Sequence, residues 1–125
     1  MERSSAAAQV DSGVWATGAW LKDNPDKATA VSVAVWKALD YAHKNTAEAG
    51  ELVRKEAWAE TDKPVFDLAW QRVTPAMAVT PELSLPLVQS LLQYREVTEK
   101  KKASFPAEQA FTNEFNDRAK QVLGK

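Results

Sequence analysis

Cysteine is absent from the sequence, and histidine and glycine are scarce, with one and four residues. Without cysteine the chain can form no disulfide, no zinc–thiolate site and no cysteine nucleophile. The single histidine, His43, gives little basis for a transition-metal site. The glycines are dispersed and form no GxGxxG or Walker-type loop. We therefore expect neither a metal nor a cofactor.

Long apolar runs and an excess of one charge are also missing. No stretch approaches the roughly 20 apolar residues that cross a bilayer, so we predict no membrane span. Sixteen basic residues face seventeen acidic ones, and this balance argues against nucleic acid as a partner. The basic run at 100–102 follows Glu96 and Glu99, which favours a solvated helix end over a phosphate contact. Residues 1–10, MERSSAAAQV, lack the apolar segment of a secretory signal, so we expect no export signal in this chain.

The residues that are plentiful favour helices. Alanine, leucine, lysine and glutamate are common, and hydrophobic residues make up 45% of the 125 positions, which suffices for the core of one domain. We predict a mainly α fold. A disordered lead-in would occupy residues 1–9, and a single helical domain would occupy residues 10–125. That domain would contain a short strand at 14–17, VWAT, followed by about five helices.

The start of the first long helix is marked by a proline. Pro25 suits the first helical position because it lacks an N–H and has a helical φ. Asn24 is then the predicted N-cap. Apolar residues follow at positions 28, 31, 35, 38, 39 and 42 with the helical period. Val33 and Trp36 widen this apolar stripe, so we expect the helix to be covered on more than one side.

Two more helices have local start signals. Asn45 and Glu48 match a capping box for a second helix. The sequence TDKP at 61–64 resembles the first start signal and predicts a third helix. This third helix should end before the Thr-Pro pair at 74–75.

The fourth helix is best started at Ser84. A start at Thr80 would place Pro86 in the helix interior, at a cost of about 3 kcal/mol, whereas a Ser84 cap places it in the first turn. Thr112 is the predicted cap of the last helix.

Few side chains suggest catalysis. His43 lies near the end of the first long helix, where it interacts favourably with the helix dipole. The carboxylate pairs Glu48/Glu51 and Glu56/Glu60 lie among lysines and arginines and are interpreted as surface charge, with acid–base work as the alternative. We predict that the chain is not an enzyme.

The five tryptophans are the unusual feature of the composition. Trp36, Trp58 and Trp70 fall in helical segments and are predicted to be core. Trp15 and Trp20 precede the first long helix, and each could line a ligand cleft. Trp20 could equally pack back on the start of that helix.

The order of these segments resembles the C-terminal part of the substrate-binding proteins of nitrate/sulfonate/taurine-type ABC transporters. The matching pieces are VWAT at 14–17, WLKDNPDKA at 20–28, ALDYA at 38–42 and NTAEA at 45–49. The segments 83–94 and 111–119 are similar to the closing helices of that family. The chain departs from the family at 97–100, VTEK, where a Gly-Leu or Gly-Ile turn is usual. It also has less than half the length of a complete two-lobed member.

The resemblance implies that this chain is a C-terminal fragment of a periplasmic solute-binding component. Such a protein is non-catalytic, closes on a small anion such as a sulfonate, taurine or nitrate, and docks on an ABC permease. Its ligand lies between two lobes, most of which this chain would lack. Of the retained positions, the strand holding Trp15 and Thr17 would approach that cleft, so these two are the predicted ligand-binding residues.

The alternative function is a freestanding helical protein-interaction module. It is suggested by Met1 at the start of the chain and by the lack of export information, and it predicts a cooperative melt and a defined oligomer. An enzyme is a third possibility, because the same fold family is similar to pyrimidine-precursor synthases. Those synthases rely on a cysteine-rich motif that this sequence lacks.

Overall fold

The computed structural model describes residues 13–125, which contain six α-helices and two 3₁₀ turns. The helices are α1 (Gly18–Asp23), α2 (Pro25–Lys44), α3 (Thr46–Ala57), α4 (Lys63–Val73), α5 (Leu85–Glu99) and α6 (Glu114–Leu123). The 3₁₀ turns are Thr74–Ala76 and Ala107–Gln109. These residues include no strand, and the predicted mainly α fold is confirmed. The predicted lead-in at 1–9 lies outside the described residues.

The strand predicted at 14–17 is wrong. Residues 13–17 have no regular structure, and α1 begins directly after them. Thr17 is the N-cap of α1, since its hydroxyl accepts a hydrogen bond from the Trp20 backbone N–H at 3.2 Å. A helix N-terminus leaves its first N–H groups without intrahelical partners, and a threonine oxygen supplies one. The short Val-Trp-Ala-Thr run therefore ends in a helix start rather than forming part of a sheet.

Asn24 and Asn45 lie between helices, as predicted, but their side chains do not cap the helix that follows. Neither side chain accepts a hydrogen bond from the helix that follows. Each side-chain amide instead donates back to the carbonyl four residues earlier, at 3.1 Å to Trp20 and 3.2 Å to Tyr41. The backbone N–H of each asparagine donates to the same carbonyl. The two residues therefore cap the C-terminus of the preceding helix, where unpaired carbonyls need partners.

The central packing of the molecule joins α2 to α6. Trp36 of α2 is 5% exposed and Ala119 of α6 is 0% exposed. The Lys125 ammonium closes the end of this pair, because it lies 2.8 Å from the Asp40 carboxylate and 5.2 Å from the centre of the Trp36 ring. The small Ala119 side chain allows the two helices to approach closely.

Helices α3 and α4 form an arm that joins the rest through α2. Trp70 fixes this arm, since its indole N–H donates to the Thr46 carbonyl at 2.9 Å and its ring stacks on Phe66 with centroids 6.0 Å apart. The indole lies directly over Gly50, and a Cβ added there would stand 2.7 Å from Trp70 Nε1. Glycine is required at this position by close approach rather than by backbone conformation.

The connection before α5 is fastened to α2 and α6 by side chains. His43 Nε2–H donates to the Ala78 carbonyl at 2.9 Å. Asn113 bonds both backbone groups of Leu83, accepting from its N–H at 3.0 Å and donating to its carbonyl at 2.6 Å. His43 therefore has a structural partner in addition to its position in the last turn of α2.

Helix α5 begins as predicted at Ser84, whose hydroxyl accepts from the Leu87 N–H at 3.3 Å. Pro86 falls in the first turn, as predicted. The helix ends at Glu99, its C-cap Lys100 has a left-handed φ of 53°, and it packs against the second 3₁₀ turn. The last helix begins one residue later than predicted, with Asn113 as its N-cap and the Thr112 hydroxyl accepting from the Glu114 N–H.

The contact between Gly50 and Trp70 leads to a stability prediction. We expect Gly50→Ala to lower the free energy of unfolding by about 1–2 kcal/mol, because overpacking by about 1–3 kcal/mol exceeds the gain of up to 1 kcal/mol in helix propensity. The matched control is Gly18→Ala, since a Cβ at Gly18 meets nothing within 4 Å. Urea denaturation of both variants measures the difference. A Gly50→Ala protein as stable as Gly18→Ala would contradict the close packing of the arm.

Candidate functional site

The predicted ligand residues Trp15 and Thr17 lie at one surface concavity. Together with Ala16 and Trp20 they line a space of about 350 Å³. The concavity is open, because Trp15 is 86% exposed and Trp20 is 41% exposed. The Thr17 hydroxyl already accepts the N-cap hydrogen bond of α1. A small ligand here would meet aromatic surface on an open face, whereas typical small-molecule sites enclose most of their ligand.

The three tryptophans predicted to be core differ in burial. Trp36 is buried, as predicted. Trp70 is half-buried between α3 and α4. Trp58 is 57% exposed, so its prediction as core is wrong. It follows the last residue of α3 as the C-cap, and a side chain at a helix end that turns away from its neighbours has no facing element to cover it.

The titratable groups form surface ion pairs. Lys63 lies between Glu51 and Asp67 and lowers the pKa of the Glu51 carboxyl. Lys125 likewise lowers the pKa of Asp40, chiefly through its hydrogen bond. Among residues 13–125, no three carboxylate or imidazole groups are grouped to hold a metal ion. Such exposed pairs fix local geometry and are worth little individually.

A second feature is the outer face of α2, which carries apolar residues that are exposed or half-buried. This face comprises Val31, Ala34, Val35, Ala38 and Ala42. Val31 is 41% exposed, Ala34 and Ala38 are exposed, and the other two are half-buried. The residues recur at i, i+3, i+4, i+7 and i+11, the spacing of an apolar stripe that packs on another helix. They extend along about 16 Å of the helix.

Trp36 and Asp40 show which side of α2 faces inward, because both contact Lys125, which follows α6. At 100° per residue, the outer face is turned by more than a right angle from these two positions. Lys27 lies in line with this face, one turn before Val31. Tyr41 stands at the opposite end, and the neighbouring Glu48 carboxylate raises the pKa of its hydroxyl.

Helix α4 also exposes apolar side chains, but with a charge among them. Val65 is 61% exposed, Leu68 is 52% exposed and Val73 is 56% exposed. Arg72 projects from the same side of this helix, between the directions of Val65 and Leu68. The cores of protein interfaces are depleted of charged residues, and α4 is half as long as α2. The outer face of α2 is therefore the better candidate for a binding surface.

The outer face of α2 was not identified from the sequence, although part of its pattern was recognised. The width of the apolar stripe on α2 predicted cover on more than one side. Within the described residues α2 contacts α1, α3 and α6, and the outer face is left open. The sequence signal for this face was the alanine and valine repeat at 31, 34, 35, 38 and 42. These side chains project from α2 in a different direction from Trp36.

Comparisons with models of protein families, with curated proteins and with solved structures give no match for this chain. None of the helices within residues 13–125 has the length and hydropathy needed to cross a bilayer.

Proposed function

We propose that this chain is a helical protein-interaction module that binds an apolar partner surface through the outer face of α2. The observation that carries the proposal is the apolar stripe on α2, in which Val31, Ala34 and Ala38 are exposed and Val35 and Ala42 are half-buried, on a helix whose opposite side is already packed. Burying apolar surface yields roughly 25 cal/mol per Å². A helix with one buried and one bare apolar side therefore gains free energy when a second surface covers it.

The chemistry of the outer face suits a helix as the partner element. Alanine at positions 34 and 38 leaves room for a second backbone to approach, and valine at 31 and 35 provides side chains with restricted χ1. Helices pack side by side at 8–10 Å when such ridges and grooves meet. The partner surface should accordingly be apolar, narrow and helical.

Solute binding for an ABC transporter is the second candidate, and it depends on the sequence resemblance described above. The observation in its favour is that Trp15 and Thr17 line the same concavity. In this proposal the chain is a C-terminal portion of a periplasmic component, and a sulfonate, taurine or nitrate is bound only with the lobes that it lacks. The permease would then be its protein partner.

Calorimetry tests whether the chain by itself holds a complete solute site. We expect residues 1–125 to bind taurine, alkanesulfonates and nitrate weakly or not at all, since an open concavity buries too little of a small anion. Isothermal titration of each compound into the purified chain makes the measurement, with a Trp15→Ala variant as control. Micromolar binding that is lost in Trp15→Ala would contradict this expectation and favour a complete solute site within the chain.

Photo-crosslinking tests the interaction proposal. A benzophenone amino acid at Ala34, on the outer face, should form covalent adducts with a partner in an extract of the source cells. The same group at Lys37, on the exposed polar side of α2, should form few, because no partner is expected there. Circular dichroism and a cooperative thermal melt establish that both proteins are folded. Equal labelling from both positions, or none from either, would contradict the proposal.

A further inference from the structure

We infer that the Lys-Lys-Lys segment at 100–102 is a proteolytic processing site. A protease that cleaves after lysine hydrolyses one peptide bond there and converts the chain into two fragments that stay bound to each other. Water supplies the hydroxyl that turns the lysine carbonyl into a carboxylate, and the amide nitrogen of the next residue leaves as an ammonium group. The inference is independent of the proposed function. It rests on the accessibility of the segment and on the contacts of the residues that follow it.

The three lysines lie in a stretch of chain, 100–106, that has no helix or strand. The stretch begins at the left-handed Lys100, where α5 has ended, and it stops at the second 3₁₀ turn. All three lysines are exposed. Proteolytic nicking concentrates at exposed loops, because a helix must open before its backbone can enter a protease active site. The backbone at 100–102 is therefore open to a protease without prior unfolding of a helix.

The other basic residues of the described chain are protected by their secondary structure. Within 13–125, every lysine and arginine outside this segment lies in a helix, except Lys125 at the end of the sequence. Arg3 lies outside the described residues, and a cut after it removes only the first three residues. In the described part of the chain, the segment at 100–102 is thus the internal place where a protease specific for basic residues meets its target outside a helix.

The part of the chain after the site is anchored to the part before it. Helix α6 packs on α2, and Ala119 of α6 is fully buried. Asn113 bonds both the N–H and the carbonyl of Leu83. The Asn116 amide donates to the Pro81 carbonyl at 3.2 Å. These contacts join the two sides of the processing site without passing through it.

Two ion pairs also span the site, from Lys120 to Glu82 and from Lys125 to Asp40. Hydrolysis at 100–102 breaks none of these contacts, so the fragments keep their packing and their hydrogen bonds. It does make the docking of the second fragment a bimolecular event and removes the high effective concentration that the intact linker provides. We therefore expect the fragments to stay together in native buffer and to separate at a lower urea concentration than unfolds the uncut chain.

Limited digestion of the full chain with trypsin locates the site. We expect the first internal cut to fall after residue 100, 101 or 102, and mass spectrometry of the two products identifies the bond. A cut after Arg3 is recognised by its small loss of mass. A first internal cut within α1 to α4 or within α6 would overturn the inference.

Two triple variants provide the matched comparison. Replacing all three lysines at 100–102 by glutamine should slow the first internal cut by at least about tenfold, because the remaining basic residues lie in helices that must open first. The control carries Lys37→Gln, Lys44→Gln and Lys55→Gln, three exposed lysines within helices, and should be cut as fast as the unaltered chain. Circular dichroism checks that both variants fold. Equal rates for the two variants would contradict the inference.

Gel filtration of the nicked protein tests whether the fragments stay together. We expect both fragments to elute at the position of the uncut chain in native buffer. Asn113→Ala should make them separate at a lower urea concentration, since both hydrogen bonds to Leu83 are lost. Gln109→Ala is the control, because the Gln109 side chain is exposed and makes no hydrogen bond within the described residues. Fragments that separate in native buffer would overturn the inference that the processed chain stays assembled.

Discussion

The packing of α2 against α6 holds the molecule together. It joins the longest helix to the last one, and at its edge Lys125 contacts the Asp40 carboxylate and the Trp36 indole ring. Truncating a buried tryptophan typically costs about 3–5 kcal/mol, whereas a whole domain is stable by only about 5–15 kcal/mol. Helices α1 and α3 also contact α2, so loss of this packing would leave them without a common support.

The positions of the other helices explain why the outer face of α2 remains partly exposed. The α3–α4 arm leaves α2 at its C-terminal end, where Asn45 stops the helix and Trp70 fixes the arm over Gly50. The segment before α5 is tied to α6 by Asn113 and to the last turn of α2 by His43. Within the described residues Val31, Ala34 and Ala38 are left exposed.

Local rules predicted the helix starts well. Pro25 and Pro86 determine where α2 and α5 begin because a proline fits only the first turn of a helix, and the Ser84 cap follows from the same restriction. The roles of Asn24 and Asn45 could not be read in this way. An asparagine between two closely spaced helices can serve either one, and the choice depends on how the two helices meet.

The packing of the elements on one another could not be predicted from the sequence. The Val-Trp-Ala-Thr run has strand propensity, but no second strand exists in the described residues to pair with it, and Thr17 caps α1 instead. Trp58 is of a residue type common in cores, yet it lies 57% exposed at the C-terminal end of α3. The apolar face of α2 was visible as a repeat, while its lack of cover depended on where the other helices pack.

Alkylation of single cysteines measures the central claim most directly, since the chain has no cysteine of its own. The claim is that α2 is packed on one side and exposed on the other. Ala28→Cys, at a buried position, should react slowly, whereas Ala34→Cys and Ala69→Cys, both at exposed positions, should react fast. Equal rates at 28 and 34 would contradict the account.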